Sequence, residues 1–333
     1  MISTSDIIKL PFTPDLIESG TSYALRAVTQ GQNQSTGSIY TLMRRRACGV
    51  AVELAFRRYL MHKNIPFEIK GALSFAEPDR YDVSLGGHRC NIINFLTAKR
   101  EQITSIRANP EQILQAPALI AEKQFSSSSY IESDLHLFSF LLGLTTNSPE
   151  EIQKAVNANQ PICLVHPLRP EWSHPQHWVS LRKLTLKSEC STPITVQIGG
   201  QDKHRNFITE TITLRPLTRY TAINEYYSLA FIQSRSIPDA RIGIHSSALG
   251  NTIYLIHTHE WGNIWMYGME IWLTGFISHE EFKRRASIVY TGSRVFQYSK
   301  TQTKNLSVPI MDLRPLNDLF AKVKAWETGK KYR

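Results

Sequence analysis

The sequence predicts an α/β core followed by a β-rich, sandwich-like domain, on three observations. Residues 39–145 read as helix, extended segment, hairpin, helix and buried strand. From Pro161 the texture changes to short runs rich in Ile, Thr, Val and Tyr, separated by proline, glycine and polar turns. The composition, 42% apolar and 20% charged over 333 residues, is that of a globular chain long enough for two ordinary domains or one large one.

Taken in order, residues 1–38 form a mixed leader, and 29–37 (TQGQNQSTG) read as a polar loop. Residues 44–62 predict a helix. Val50, Leu54, Phe56 and Leu60 have compatible spacing, and Ala47, Ala51 and Ala55 favour helix intrinsically. Pro66 opens an extended segment over 67–75, and Glu77-Pro78-Asp79 is a turn. Residues 81–85 and 90–96 read as strands about a tight Gly86-Gly87 turn, so 80–96 is a hairpin. Residues 99–107 and 110–122 are helical or looped. The run at 134–144 (DLHLFSFLLGL) is a buried strand, ended by Gly143. Pro149-Glu150-Glu151 opens a short helix, with proline and acids where helix N-termini favour them.

Beyond Pro161, strands are expected at 162–165, 178–186, 194–198, 207–214, 226–233, 241–245 and 253–257. Residues 198–202 (IGGQD) read as a hairpin turn, since no lysine and helix follow to make a phosphate loop. Residues 278–286 predict a serine-capped helix with Glu280 and Glu281 in its first turn. The chain is thereby divided into a leader (1–38), an α/β core (39–160), a β-rich domain (161–275) and a C-terminal helix and tail (276–333).

The 38 Lys and Arg against 28 Asp and Glu leave a formal charge of +10, which favours a polyanionic partner such as nucleic acid. Local clusters stand at Arg44-Arg45-Arg46, Lys283-Arg284-Arg285 and Lys330-Lys331. No apolar run reaches the roughly 18 residues of a membrane span, and the first residues lack the apolar stretch of a secretory signal. The four cysteines, Cys48, Cys90, Cys163 and Cys190, form no C-x-x-C pair. Their scatter argues against a zinc ribbon or a disulfide framework and suits buried thiols in a reducing cytoplasm.

Metal-dependent phosphodiester cleavage needs carboxylates to hold Mg²⁺ and a lysine to position or deprotonate the nucleophile. A bent hairpin arranges these compactly. One acid opens its first strand, and an acid-x-lysine pair on its second strand shares one face by alternation. A further glutamate comes from the preceding helix. Here Glu53 lies in the helix headed by Arg44-Arg45-Arg46, Asp82 opens the hairpin, and Asn91-Ile92-Ile93 occupies the acid-x-lysine position.

On these residues, 40–145 resemble the PD-(D/E)XK, restriction-endonuclease-like superfamily, its resolvase-like members above all. The resemblance implies a restriction-endonuclease-like α/β core, a pocket for Mg²⁺ at Glu53 and Asp82, and DNA as substrate. Pro78-Asp79 is a literal Pro-Asp pair, with Asp82 the preferred equivalent. The motif departs from the family twice. The Asn91 amide is a poor Mg²⁺ ligand without charge, and Ile93 cannot replace a lysine. Lys99, Lys63 and Lys70 are candidates for a lysine relocated onto another element.

The expected function is a DNA-binding pseudo-nuclease in a defence, mobile-element or repair assembly, with further protein partners and no membrane. Arg44, Arg45, Arg46, Arg57 and Arg58 are the phosphate-contact candidates, and Mg²⁺ binding is expected to be weak or absent. One alternative is an active Mg²⁺-dependent deoxyribonuclease using a relocated lysine. Another is a non-catalytic scaffold for protein or carbohydrate. His257-Thr258-His259-Glu260 places two imidazoles on one face of an expected strand but lacks a third ligand at a recognisable spacing, so hydrogen-bonded histidines are the expectation. Trp261, Trp265, Tyr267 and Trp272 crowd together as a core anchor would. No serine-hydrolase, zinc-protease or dinucleotide fingerprint is present.

Overall fold

A computed structural model describes residues 1–28, 38–69, 83–126, 130–251 and 253–330. Along the chain, strand β1 (Ile8–Leu10) leads to helix α1 (Pro14–Val28) and to the long helix α2 (Ile39–His62). On α2, Met43, Ala47, Ala51, Phe56 and Leu60 are buried at 0–3% exposure, the apolar stripe expected of an amphipathic helix. The hairpin β2 (Val83–Leu85) and β3 (His88–Thr97) follows, then α3 (Arg100–Ala108), α4 (Glu111–Leu114), β4 (Pro117–Ala121) and α5 (Glu122–Phe125). Strand β5 (Leu135–Thr145) is buried along all but its last two residues, and its near-continuous apolar sequence is that of a strand covered on both faces.

Helix α6 (Pro149–Asn157) starts where its capping signals stand: Ser148 Oγ accepts from Glu151 N at 3.2 Å, and the Glu151 carboxylate reaches back to Ser148 N at 3.3 Å. Strand β6 (Leu164–Pro167), helix α7 (Pro170–Ser173) and strands β7 (Leu184–Ser188), β8 (Ile194–Gln201), β9 (Phe207–Leu214), β10 (Arg219–Thr221), β11 (Ser228–Ser234), β12 (Ile242–Ser246), β13 (Tyr254–Ile256) and β14 (Gly262–Asn263) come next. The chain ends with β15 (Met266–Ser278), α8 (His279–Arg285), β16 (Ser287–Val289), β17 (Asn305–Pro309) and α9 (Leu316–Lys330). Ser278 caps α8 by accepting from Glu281 N at 3.2 Å.

The protein is mixed α/β with several β-sheets, and its residues gather into two compact units. The first takes Met1–Gly20, Cys48–Leu144 and Tyr267–Arg333; the second takes Thr21–Ala47 and Thr145–Met266. In the first unit a five-stranded sheet has the order β1-β15-β5-β3-β2, with β3 and β5 parallel and the β2–β3 hairpin antiparallel. A three-stranded sheet, β16-β17-β4, is antiparallel. An apolar core in this unit joins Phe95, Phe138, Phe140 and Trp272 of the larger sheet to Ile120 and Val308 of the smaller and to Ile103, Ile106 and Phe282 of the helices. In the second unit two antiparallel sheets, β10-β7-β12-β13 and β14-β6-β11-β8-β9, turn their buried residues into one shared core.

Several expectations need correction. The units are not consecutive blocks, because the leader and the C-terminal region supply strands and helices to the first unit. Residues 117–121, expected as helix or loop, are a strand because β17 pairs with them. Gly199 and Gly200 are not a turn. They lie inside β8, where a Cβ on Gly199 would overlap the Phe231 ring and one on Gly200 would overlap the Ser228 carbonyl. Thr258–Glu260 is a 3-10 turn and not a strand, with the Glu260 carboxylate accepting from His257 N at 2.7 Å. Trp261, Trp265 and Trp272 are buried as expected, and all four cysteines are buried and outside any disulfide.

Candidate functional site

The hairpin turns on Gly86 and Gly87, whose φ angles of +58° and +82° suit the two central positions of a tight hairpin turn. Register then fixes the faces. Val83 lies opposite Cys90, while on the other side of β3 Asn91 lies beside His136 and Ile93 beside Phe138. Asn91 therefore shares a face with His136, at the end of the apolar core, and its Nδ2 donates to Tyr130 Oη at 2.9 Å. Ile93, two residues on, packs against that core.

His136 is fully buried among Phe125, Tyr130 and Phe282, and its Nε2 lies 3.0 Å from His279 Nδ1. Burial, with His279 adding to it, pushes the His136 imidazole down to about 3. Burial also lowers His279, against the opposing pull of Asp134 and Glu132. Both rings are thus neutral near pH 7 and share one proton across the contact. Among the described residues His136 Nδ1 has no hydrogen-bond partner. A buried unpaired N–H is costlier than an unpaired lone pair. The cheaper tautomer has His136 donating from Nε2, His279 accepting at Nδ1, and His279 carrying its own proton on Nε2. The His279 ring is held flat against Phe125, with ring centroids 4.1 Å apart.

Residues 131–134 brace this cluster. Asp134, 3% exposed, takes a two-pronged ion pair from Arg89 and accepts from Ile131 N at 2.8 Å, while its carbonyl accepts from His279 N at 2.7 Å. The result is an open pocket of about 610 Å³ lined by residues 130–133, His279, Glu280 and Lys283. Two carboxylates, one ammonium and a neutral imidazole leave the lining net negative, which disfavours a phosphate. The tautomer leaves His279 Nε2 a donor and not a base.

Of the described residues named from sequence, Asn91 alone belongs to this cluster. Glu53 forms an ion pair with Arg57 along α2. Lys99 is the exposed residue that precedes α3, its carbonyl accepting from Ile103 N at 3.0 Å. Lys63 is exposed, and its carbonyl accepts from Lys324 Nζ at 2.9 Å. Asp82, Lys70 and the Pro78-Asp79 pair lie outside the described residues, so the proposed Glu53–Asp82 metal pocket does too. Among the described residues no group of three or more His, Cys, Asp or Glu side chains could hold a metal ion. The β3 positions do not fit Mg²⁺: one is an amide engaged with a phenol, the other an alkyl group packed against the core.

The basic helix also reads differently in three dimensions. Arg44, 7% exposed, is corrected from phosphate contact to internal brace: it donates to the Asn263 carbonyl at 3.0 Å, the Thr146 carbonyl at 2.9 Å and Asn147 Oδ1 at 2.7 Å. Arg58 is exposed and paired with Asp15, Arg46 is half-buried, and Arg45 is exposed. His136, His279 and Tyr130 escaped sequence reasoning. His136 stands with Ser139 in an otherwise apolar run, and only the fold brings it to His279, 143 residues away.

A mixed α/β protein of several sheets, with this neutral histidine pair at the end of its hairpin sheet, is the class defined by fold and site. Comparison with family models, curated proteins and solved structures finds no significant match.

Proposed function

We propose that the protein is a nuclease-like DNA-binding protein that does not cleave. The observation that carries this reading is the pair of β3 positions at which a metal nuclease needs an acid and a lysine. Asn91 is hydrogen-bonded to Tyr130, and Ile93 packs against the core. The succession of α2, an isolated bridge between Glu68 and Ser84, the β2–β3 hairpin, α3 and the parallel strand β5 supports descent from a PD-(D/E)XK core. The formal charge of +10 supports DNA as the partner. A defence, mobile-element or repair assembly would employ such a protein to hold DNA for other subunits.

The test is a plasmid-nicking assay with Mg²⁺ and with Mn²⁺, on the wild type and on Asp82→Ala, beside a duplex-binding measurement. The expected result is binding without nicking by either protein. Cleavage by the wild type that Asp82→Ala abolishes would establish an active nuclease with a relocated lysine. Failure to bind duplex at low salt would favour the protein- or carbohydrate-binding scaffold.

A further inference from the structure

We propose that the β8–β9 turn of the second unit, with Trp178 beside it, is the surface that grips the phosphate backbone of DNA. The proposal rests on DNA being the partner and adds where it is held. The second unit carries 15 Lys and Arg against 9 Asp and Glu, the first 23 against 19, so the second is the more basic for its size.

The turn is built tightly. Asp202 Oδ1 accepts from His204 N at 2.8 Å and from Asn206 N at 2.9 Å, and Arg205 N donates to the Asp202 carbonyl at 3.1 Å. This closure holds Arg205 at φ +64°, left-handed backbone that favours glycine or asparagine and costs an arginine about 1 kcal/mol. Trp178 is pinned to the same turn, its Nε1 donating to the Lys203 carbonyl at 3.0 Å. The Arg205 guanidinium lies over the Trp178 ring, 4.5 Å from its centroid, with Tyr227 against the indole at 5.9 Å.

Arg182, Arg215 and Arg219 of the same unit are exposed too; what sets Arg205 apart is an exposed charge held over an indole. Among the described residues its guanidinium has no carboxylate or carbonyl partner, whereas Arg241 is paired with Glu189 and Arg44 is spent on backbone carbonyls. A guanidinium held over an indole has already lost much of its freedom, and this one is exposed. That geometry suits two oxygens of one phosphate. Lys203, exposed on the same turn, extends the positive edge along a backbone.

The test is duplex-DNA affinity by fluorescence anisotropy from 50 to 200 mM salt, a range on the order of that over which such binding weakens steeply. Wild type, Arg205→Gly and the double variant Lys203→Ala/Arg205→Gly are compared. Glycine relieves the left-handed strain, so Arg205→Gly should melt at or above the wild-type temperature, and a loss of binding cannot then reflect misfolding. The expected result is affinity about five- to tenfold weaker with a log–log salt slope shallower by about 1, and by about 2 in the double variant. Wild-type affinity and slope in both variants would overturn the assignment while leaving DNA binding intact. Absence of DNA binding by the wild type would overturn both. Polyglutamate that displaces the DNA as well as an equal charge of DNA would also overturn it, because the guanidinium would then read charge without phosphate geometry.

Discussion

His136 is the residue whose chemistry departs furthest from its behaviour in water at this site. Its folded value of about 3 lies below the ordinary 6.5, so in acid the unfolded chain takes up a proton that the folded chain refuses. Its contribution is fully present above pH 6.5 and is lost as pH falls from 6.5 toward 3, by up to about 1.4 kcal/mol per pH unit. His279 acts in the same direction, opposed by Asp134 and Glu132. Urea unfolding from pH 7.5 to 5 should show the wild type losing stability faster than His136→Phe. Parallel profiles would mean that His136 titrates normally in the folded protein. Arg44 makes the same point about reading charge. From sequence it is one of three adjacent cations on a helix, yet the structure turns it inward and leaves Arg45 exposed.

At the scale of elements, local signals were legible wherever they did not depend on a distant partner. The Pro149-Glu150-Glu151 start of α6, the Gly86-Gly87 hairpin, the serine cap of α8 and the apolar run of β5 all appear where their chemistry places them. Strands β1, β4, β10, β14, β15, β16 and β17 were missed. All but β15 are short, and β1, β4, β15 and β17 are strands through partners far along the chain: β4 pairs with β17, and β1 with β15. The glycine pair of β8 misled for a related reason. Gly-Gly is a turn signal unless a neighbouring strand needs the space. Phe231 and the irregular register of β11 between Leu229 and Phe231 need it. Gly200→Ala should therefore destabilise the protein by about 2–3 kcal/mol in denaturant unfolding. A cost under about 0.5 kcal/mol, typical of an unconstrained surface site, would mean that the close approach of the Ser228 carbonyl is not maintained.

For the molecule as a whole, charge says more about a partner than about the fold. If the excess of basic residues serves DNA, the logarithm of duplex affinity should fall linearly with the logarithm of salt, with a slope of about −0.9 for each phosphate neutralised. An affinity indifferent to salt would assign the charge to solubility alone. That affinity belongs to the folded chain, since the residues of each compact unit come from separate stretches of sequence.

The sequence by itself determined the hairpin, the buried central strand, the capped helices, the β-rich texture after Pro161 and the amide and alkyl side chains at Asn91 and Ile93. Each of these is written in neighbouring residues, through side-chain alternation, turn backbone or the missing charge of an amide. Only the tertiary structure decided that Asn91 meets Tyr130, that His136 meets His279, that Arg44 is spent internally on Asn263 and that Arg205 lies open on Trp178. Those encounters join residues 27 to 219 positions apart. Periodicity does not encode such pairs, because burial and partner choice come from packing the whole chain.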